Sequence, residues 1–383
     1  MKVKILQEDI IDGLHKSANI IPTKTGAAFL RSIWLKADNE GLKVMATDSN
    51  LEFCGNYQAE VMSEGIVGVQ GRSLYELIKK LPKGMISLEL INESLKIKQG
   101  SREYILPSND ITWFQNFSSF PESETVFWSG DFLENIIDKI SFCISDEDTM
   151  EAIACMCISP NEKNNTIETC GLNGHQFSML SFINDDILNL LDKNQMLIQK
   201  KYINELKKWL SVDEIELNVS DKRLFLRTSD KKEIFSLPLS YYQYPDYNNF
   251  INKLDLDTNS IMTINRKELL EALDRLLIFN TDNNRCTYFE FTESNLVLNS
   301  QGQEIGSATE SISIQYNGDL SKIAFPTRNL IEILSHFESE TLKFILTGQE
   351  GPCGISGEND KDYIVIIMPM KIVEETYYSE EDV

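Results

Sequence analysis

The chain has 383 residues with a formal net charge of −23, and 42% of its residues are apolar, as in an ordinary globular protein. No apolar run reaches 18 residues, which excludes a transmembrane helix, and residues 1–4 lead into a predicted strand without a signal-peptide pattern. The seven cysteines are an odd count in mostly apolar strand contexts, so they predict reduced thiols in the cytoplasm rather than a disulfide framework.

The first predicted elements are a short apolar strand, a polar or acidic turn and an amphipathic helix, together covering residues 4–14. The same pattern returns at residues 128–137 and again at 264–273. A second helix also recurs, at residues 73–78, 202–206 and 329–334. Leu77, Leu206 and Ile333 occupy its same position, so successive copies lie 129 and 127 residues apart. Solenoid units span about 20 to 50 residues, so this repeat is a whole domain present three times.

Strand patterns fill the rest of each copy. Alternating runs lie between the two helices, at residues 42–47 and 296–298. Hairpin patterns follow the second helix, pairing 86–90 with 95–98 and 215–219 with 223–226. The sequence therefore predicts an α+β fold of three similar domains, each an antiparallel sheet with two helices on one face. Polar stretches place the boundaries at 1–124, 125–257 and 258–372, followed by an acidic tail at 373–383.

The distribution of charge matters more than its total. An acidic balance alone argues against binding of nucleic acid, because phosphate-binding proteins are usually basic. The second helix of the first two copies is nevertheless basic, with one glutamate in each (Glu76, Glu205) against four cations: Arg72, Lys79, Lys80, Lys83 in one and Lys200, Lys201, Lys207, Lys208 in the other. A solvated helix face and a phosphate-facing surface both fit this pattern.

No pattern predicts a catalytic, metal or cofactor site. Cys155 and Cys157 form a C-x-C without a second cysteine pair at zinc spacing, and two packed thiols on one strand face fit better. Neither a P-loop nor a strand-linked G-x-G-x-x-G is present. Asp185 and Asp186 are interpreted as loop charge rather than as paired acid and base.

Three short segments point to a binding surface instead. Residues 171–177 form a polar turn between apolar strands, and residues 244–247 form a proline-initiated turn with two flanking tyrosines. Residues 364–372 read as a buried strand interrupted by Met368-Pro369-Met370. Proline places this point at the end or edge of a strand, and methionines suit an adaptable apolar surface.

With these segments the chain resembles the bacterial DNA polymerase III β subunit, the sliding clamp, over residues 1–372. The markers are Ala46-Thr47-Asp48, Asn173-Gly174-His175, Tyr244-Pro245-Asp246-Tyr247 and Met368-Pro369-Met370-Lys371-Ile372, in this order within a triplicated chain. The resemblance implies the DNA clamp fold, with six domains in a ring made by a head-to-tail homodimer. Twelve helices about 10 Å wide, side by side, would leave a hole of roughly 28 Å, which admits a DNA duplex.

The resemblance also implies the function and the partners. The ring would encircle duplex DNA without sequence specificity and confer processivity, with Lys24, Arg72, Lys200 and Lys201 as DNA-binding residues. The protein partners would be the DNA polymerase III alpha subunit, the clamp loader and other proteins with clamp-binding motifs. No membrane is expected as a partner. Their peptides would enter an apolar pocket formed by Ile153, Leu172, Gly174, His175, Gln176, Phe177, Pro245, Phe250, Ile366, Met368, Pro369 and Met370.

Departures from the family pattern carry expectations of their own. Gln176 stands where the family usually has arginine, so the peptide preference is expected to differ. Few acids lie at residues 301–311, where relatives are often richly acidic, and these residues would face Arg102 when the ring closes. The tail carries five acids with Tyr377 and Tyr378, and we expect it to compete with partner peptides for the pocket.

Two alternatives remain open from the sequence. One is a clamp-like scaffold that binds partner peptides without encircling DNA. The other is a cytoplasmic enzyme that uses His175 with Cys155 or Cys157, which would need a base-oriented thiolate.

Overall fold

The computed structural model describes residues 1–23, 27–122, 125–146, 151–192, 194–211, 213–220, 222–256, 259–281, 284–302 and 305–372. The chain divides into two compact units, which are treated separately below. Unit 1 consists of residues 1–137 and 184–241, and unit 2 consists of residues 138–183 and those from 242 onward. Within the described ranges, no helix combines the length and apolar character needed to cross a membrane.

The described strands, in chain order, are β1 Lys2–Leu6, β2 Ser32–Asp38, β3 Gly41–Thr47, β4 Glu52–Tyr57, β5 Glu60–Ser63, β6 Gly65–Gln70, β7 Met85–Ile91, β8 Ser94–Gln99, β9 Arg102–Pro107, β10 Val126–Ser129, β11 Cys155–Asn161, β12 Thr166–Leu172, β13 Gln176–Phe182, β14 Met196–Gln199, β15 Glu214–Ser220, β16 Arg223–Thr228, β17 Glu233–Pro238, β18 Ser260–Asn265, β19 Cys286–Phe291, β20 Asn295–Gly302, β21 Gly306–Ser313, β22 Gln315–Asn317, β23 Lys322–Pro326, β24 Thr341–Leu346, β25 Cys353–Gly357 and β26 Tyr363–Ile367.

The described α-helices are α1 Gln7–Ile20, α2 Gly71–Lys80, α3 Gly130–Ser141, α4 Asp185–Leu191, α5 Lys200–Trp209, α6 Asn248–Ile251, α7 Arg266–Leu276 and α8 Thr327–Ser335. The first helix of each predicted copy corresponds to α1, α3 and α7, and the second to α2, α5 and α8. Asp185 and Asp186 lie in the first turn of α4, where the Asn184 side chain accepts a hydrogen bond from the Ile187 N–H. Their interpretation as loop charge was therefore wrong, because acids are favoured at a capped helix N-terminus.

Unit 1 contains two antiparallel sheets. One has the order β5-β1-β7-β8-β9, and the other the order β10-β15-β16-β17-β4-β3-β2-β6. The apolar stripe of α1, including Ile10 and Leu14, packs into a core with strand residues such as Val44 and Ile86. The Gln7 Nε2 atom donates to the Ile78 carbonyl at 3.1 Å, which joins α1 to α2. The predicted hairpin of residues 86–90 with 95–98 is confirmed by the pairing of β7 with β8.

Unit 2 is likewise built on antiparallel pairing. Its strands run in the order β11-β12-β13-β26-β25-β24-β18-β22 in one sheet and β21-β20-β19-β23 in a second. Helix α7 buries Leu269, Ala272, Leu273 and Leu276, while α8 buries Leu330, Ile333 and Leu334. The predicted α+β class, with antiparallel sheets and few helices, is confirmed.

Two strand pairs join segments from different predicted copies. In unit 1, β17 of the second copy pairs antiparallel with β4 of the first, and Glu233 lies opposite Gly55. In unit 2, β26 of the third copy pairs antiparallel with β13 of the second, and Tyr363 lies opposite Leu180. In both cases the last strand of one copy extends the sheet of the copy before it, and we call these pairs junction 1 and junction 2.

A buried ionic contact accompanies junction 1. The Lys16 Nζ atom of α1 lies 2.7 Å from Glu233 Oε2, and the Tyr57 hydroxyl donates to Glu233 Oε1 at 2.9 Å. Burial alone would lower the pKa of Lys16, but attraction to Glu233 and Asp12 outweighs it and raises that pKa. The charged form of Lys16 is therefore favoured, and the contact links α1 to β17, the strand that joins this sheet from the second copy.

Junction 2 carries a comparable contact. The Lys139 Nζ atom of α3 lies 3.2 Å from Asp360 Oδ1, and the Tyr363 hydroxyl donates to the Lys139 carbonyl at 2.9 Å. Asp360 also accepts hydrogen bonds from Ser339 and from the backbone N–H of Glu338. Burial would raise the pKa of Asp360, but these hydrogen bonds outweigh it and hold that pKa below its usual range.

Candidate functional site

The turn between β12 and β13 is shaped by one asparagine and one glycine. The Asn173 Oδ1 atom accepts hydrogen bonds from the backbone N–H of His175 at 3.1 Å and of Gln176 at 2.8 Å. Gly174 has a φ of +86°, in the left-handed region that residues with a Cβ atom rarely adopt. This geometry leaves Gly174 and His175 exposed at the tip, while Gln176 turns inward to begin β13.

The chain that follows β26 runs beside this turn. Gln176 lies opposite Ile367 and Phe177 opposite Ile366, and one residue later the Met368 N–H donates to the His175 carbonyl at 2.9 Å. The ladder ends before Pro369, as expected from its missing N–H. The Met370 N–H turns to the Ala324 carbonyl at 2.7 Å. Met368, Pro369 and Met370 are therefore fixed by backbone contacts on both sides.

Two further segments complete the neighbourhood. The Ser145 N–H is shared between the carbonyls of Ile153 and Leu172, at 3.1 and 3.3 Å, which places these two predicted residues side by side. In the segment that carries Pro245 and continues into α6 with Phe250, Tyr247 stacks on Phe177 with ring centroids 5.3 Å apart. The Tyr247 hydroxyl donates to Glu168 Oε2 at 2.5 Å, and burial raises the pKa of Tyr247 above its usual range.

The twelve predicted pocket residues thus fall on neighbouring segments of unit 2 and differ in exposure. Gly174, His175 and Met370 are exposed; Leu172, Pro245, Phe250, Met368 and Pro369 are half-buried; Ile153, Gln176, Phe177 and Ile366 are buried. The first two groups offer a surface rich in apolar atoms, while the buried group supports it from below. The Gln176 side chain is neutral and accepts from Asn173 Nδ2 at 3.0 Å, so it adds no cation to this surface.

Sequence reasoning missed several supporting residues. Ser145, Glu168 and Ala324 each hold a segment of the site, yet no local motif marks them. Their partners are 8 to 79 residues away along the chain, so only the folded structure identifies them. Tyr244 and Tyr247 belonged to a predicted motif, but their burial against β12 and β13 was not predicted.

The predicted DNA-binding residues fall on two helices of unit 1. Arg72 is the second residue of α2, whose last turn carries Lys79 and Lys80, all three of them exposed. Lys200 and Lys201 begin α5, which ends with Lys207 and Lys208 in its last turn. The apolar faces of both helices are buried, so the cations lie on the outward face. Lys24 and the tail at 373–383 lie outside the described residues.

The cysteines do not form a reactive centre with His175. All seven are free thiols, and Cys155 and Cys157 are fully buried in β11, whereas His175 is exposed. Burial raises the pKa of Cys170, which lies opposite Cys157, well above its ordinary value. Over the part of the chain that the structure describes, no cluster of three or more His, Cys, Asp or Glu residues suits a metal ion.

Comparison with known proteins gives one consistent answer. Residues 1–117 match the family model described as DNA polymerase III beta subunit, N-terminal domain, and residues 255–371 match the model for the C-terminal domain of that subunit. The beta sliding clamp of Pseudomonas aeruginosa is 23% identical over 377 residues, covering 97% of this chain and the whole of that protein. The beta sliding clamp of Bacillus subtilis is 22% identical over 389 residues with the same coverage.

Solved structures agree on the fold. The DNA polymerase III subunit beta of Pseudomonas aeruginosa superposes with a TM-score of 0.88 at 22% identity, covering 97% of this chain and all of that one. A sliding clamp from Bartonella birtlesii, determined bound to griselimycin, gives a TM-score of 0.89 at 20% identity over the same shares. Because residues 1–117 and 255–371 match two domains of the same subunit and 97% of the chain shares its fold, the chain belongs to the DNA polymerase III beta subunit family, the beta sliding clamps, which are processivity factors and not enzymes.

Proposed function

We propose that two copies of this protein close head to tail into a ring around duplex DNA and tether the replicative polymerase and other partners in the cytoplasm. The observation that supports ring closure best is the repeated junction, in which the last strand of one copy pairs with the preceding copy. Applying the same rule once more pairs β9, the last strand of the first copy, with β21 of the third copy of another molecule. We call this pair junction 3.

Both strands of junction 3 are at sheet edges among the described residues. An unpaired edge strand attracts other strands, and proteins rarely leave one uncovered. Ile105 on β9, Ile278 after α7 and Ile305 before β21 are each more than half exposed, and such apolar surface is typical of an interface. Two identical head-to-tail junctions close a two-fold ring in which neither β9 nor β21 remains an unpaired edge.

The division into three domains at 1–124, 125–257 and 258–372 belongs to the same proposal. The two family models match the first and third of these regions, and residues 118–254 lie between the matches. Strands of this middle region extend a sheet of unit 1 through β17 and a sheet of unit 2 through β13. A middle domain with one sheet shared on each side accounts for both observations.

Ring closure predicts a particular mass. We expect light scattering to give about twice the 43.8 kDa of the chain at micromolar concentration. Ile278→Asp should produce monomers, because it places a charge in the apolar part of junction 3. Ile183→Asp is the matched control, since Ile183 is similarly exposed but follows β13, which is paired on both sides. A wild-type protein that remains monomeric across this range would contradict the ring.

Encirclement predicts a topological mode of binding. The cations of α2 and α5 supply weak positive potential, while the acidic remainder of the chain repels phosphate, so direct contacts alone should hold DNA poorly. Clamps loaded on circular duplex should persist at moderate salt and leave when the circle is cut. Replacing Arg72, Lys200 and Lys201 by alanine should reduce loading and leave the dimer mass unchanged. Equal retention on circular and linear DNA would instead support a scaffold that does not encircle DNA.

A further inference from the structure

One basic residue recurs at the same helical position in all three copies. Lys16 in α1, Lys139 in α3 and Arg275 in α7 are each the tenth residue of the first helix of their copy. Lys16 and Lys139 make the ionic contacts of junctions 1 and 2, and their side chains are only 18% and 14% exposed. Arg275 is 58% exposed, because no incoming strand covers it in the single chain.

The partner of Arg275 lies on an edge strand. The Arg275 Nε and Nη2 atoms donate to Glu310 Oε1 and Oε2 at 2.8 and 2.7 Å, a fork that fixes the orientation of the carboxylate. Hydrogen bonding from Arg275 lowers the pKa of Glu310 below its ordinary value, so the carboxylate is charged at neutral pH. Two oxygens with about four lone-pair sites leave room for a second cation.

The strand register shows what would face Glu310. The fourth residue of the hairpin strand β3 pairs with Gly55, that of β12 with Leu180 and that of β20 with Glu310, so these three positions are equivalent. Gly55 lies opposite the first residue of β17, and Leu180 lies opposite the first residue of β26. The equivalent first residue of β9 is Arg102, which is exposed and forms no ion pair with a described residue.

We infer that Arg275 positions Glu310 to receive Arg102 of a second copy, and that this order of charges prevents junctions 1 and 3 from exchanging strands. The inference rests on the proposed two-copy ring. In junction 1 the acid, Glu233, is on the incoming strand and faces an uncharged glycine. In junction 3 the incoming strand begins with a cation, and the acid is on the receiving strand.

The reversed order makes an exchange of strands between junctions 1 and 3 repulsive. If β17 occupied the place of β9, Glu233 would meet Glu310, and if β9 occupied the place of β17, Arg102 would meet Lys16. Like charges brought together at an interface repel each other, whereas the correct pairings of junctions 1 and 3 place opposite charges together. Arg275 and Glu310 are therefore specificity-determining residues, with Arg275 acting through Glu310.

The experiment gives junction 3 of the full-length protein the same arrangement of charges as junction 1. Sedimentation measures the dimer dissociation constant, and the thermal melt of each variant confirms folding. Arg102→Glu alone should weaken the dimer at least about tenfold by opposing Glu310, and Glu310→Ala alone should weaken it similarly, because Arg102 then opposes Arg275. The double variant Arg102→Glu with Glu310→Ala has the same charges as junction 1: a cation on the helix, an uncharged residue on the receiving strand and an acid on the incoming strand. The affinity of its dimer should therefore return to within about threefold of wild type.

Two further variants make the test specific. Arg275→Ala added to the double variant should remove the recovery, since Arg275 is then the sole partner of the new acid. Glu293→Ala, at another exposed glutamate of unit 2, should leave the dimer unchanged. If wild type is a dimer but the double variant loses as much dimer affinity as the two single variants lose together, this inference is wrong and the proposed ring still stands. A wild-type monomer would overturn the ring itself.

Discussion

Replacing Asp360 by asparagine is expected to lower the free energy of unfolding of unit 2 by about 3 kcal/mol. Asp360 is buried and accepts from the Ser339 N–H at 2.9 Å, from its hydroxyl at 2.6 Å and from Lys139 at 3.2 Å. Asparagine keeps the shape of the side chain but removes the charge. Lys139, which is itself mostly buried, would be left without its counter-ion. Removing one partner of a buried ion pair is strongly destabilising, because the other charge stays buried without compensation.

The size and the pH dependence of this effect are both measurable. Urea unfolding gives the free energy, and Asp362→Asn is the control, because Asp362 is exposed two residues away and lies outside the network. The pKa of Asp360 is lowered in the folded protein, so its contribution is fully present above the unfolded value of about 3.9. It is lost as the pH falls through the folded pKa. The difference in unfolding free energy between wild type and Asp360→Asn should therefore be constant near neutral pH and disappear in acid. A difference that stays constant at all pH values would contradict an ionic origin of the stabilisation.

Local patterns predicted the repeated elements well. The polar or acidic residues at the start of each first helix and the apolar spacing within it place the starts of α1, α3 and α7 to within a few residues. The hairpins were equally predictable from the sequence, because a short turn forces neighbouring strands to pair. The end of β26 before Pro369 followed from the chemistry of a single residue.

Contacts between copies were not predictable in the same way. Lys16 and Glu233 are separated by 217 residues, and nothing in the sequence near either of them indicates the other. Strand pairing across copies depends on packing of whole domains, so it appears only in the structure. The same holds for the candidate site, where the residues named by resemblance fell together but the buried members and their supports at Ser145, Glu168 and Ala324 became evident only from the strand register.

Met368→Ala combined with Met370→Ala is expected to weaken binding of a partner peptide by more than about 2 kcal/mol, or roughly 30-fold. Their backbone atoms are held by His175 and Ala324, whereas Met370 presents an exposed side chain and Met368 a half-exposed one. The variant therefore removes apolar contact area while the frame of the site remains. Truncation of a central anchor contact costs this much because the ligand loses a desolvated apolar partner.

The measurement is fluorescence anisotropy with a labelled peptide that carries the clamp-binding motif of the polymerase alpha subunit from the same organism. Met85→Ala is the matched control, because Met85 is also an exposed methionine but lies on β7 of unit 1. It should bind the peptide as wild type does, and light scattering should give the same mass for all three proteins. A double variant that keeps wild-type peptide affinity would contradict the assignment of Met368 and Met370 as anchor contacts of the partner site.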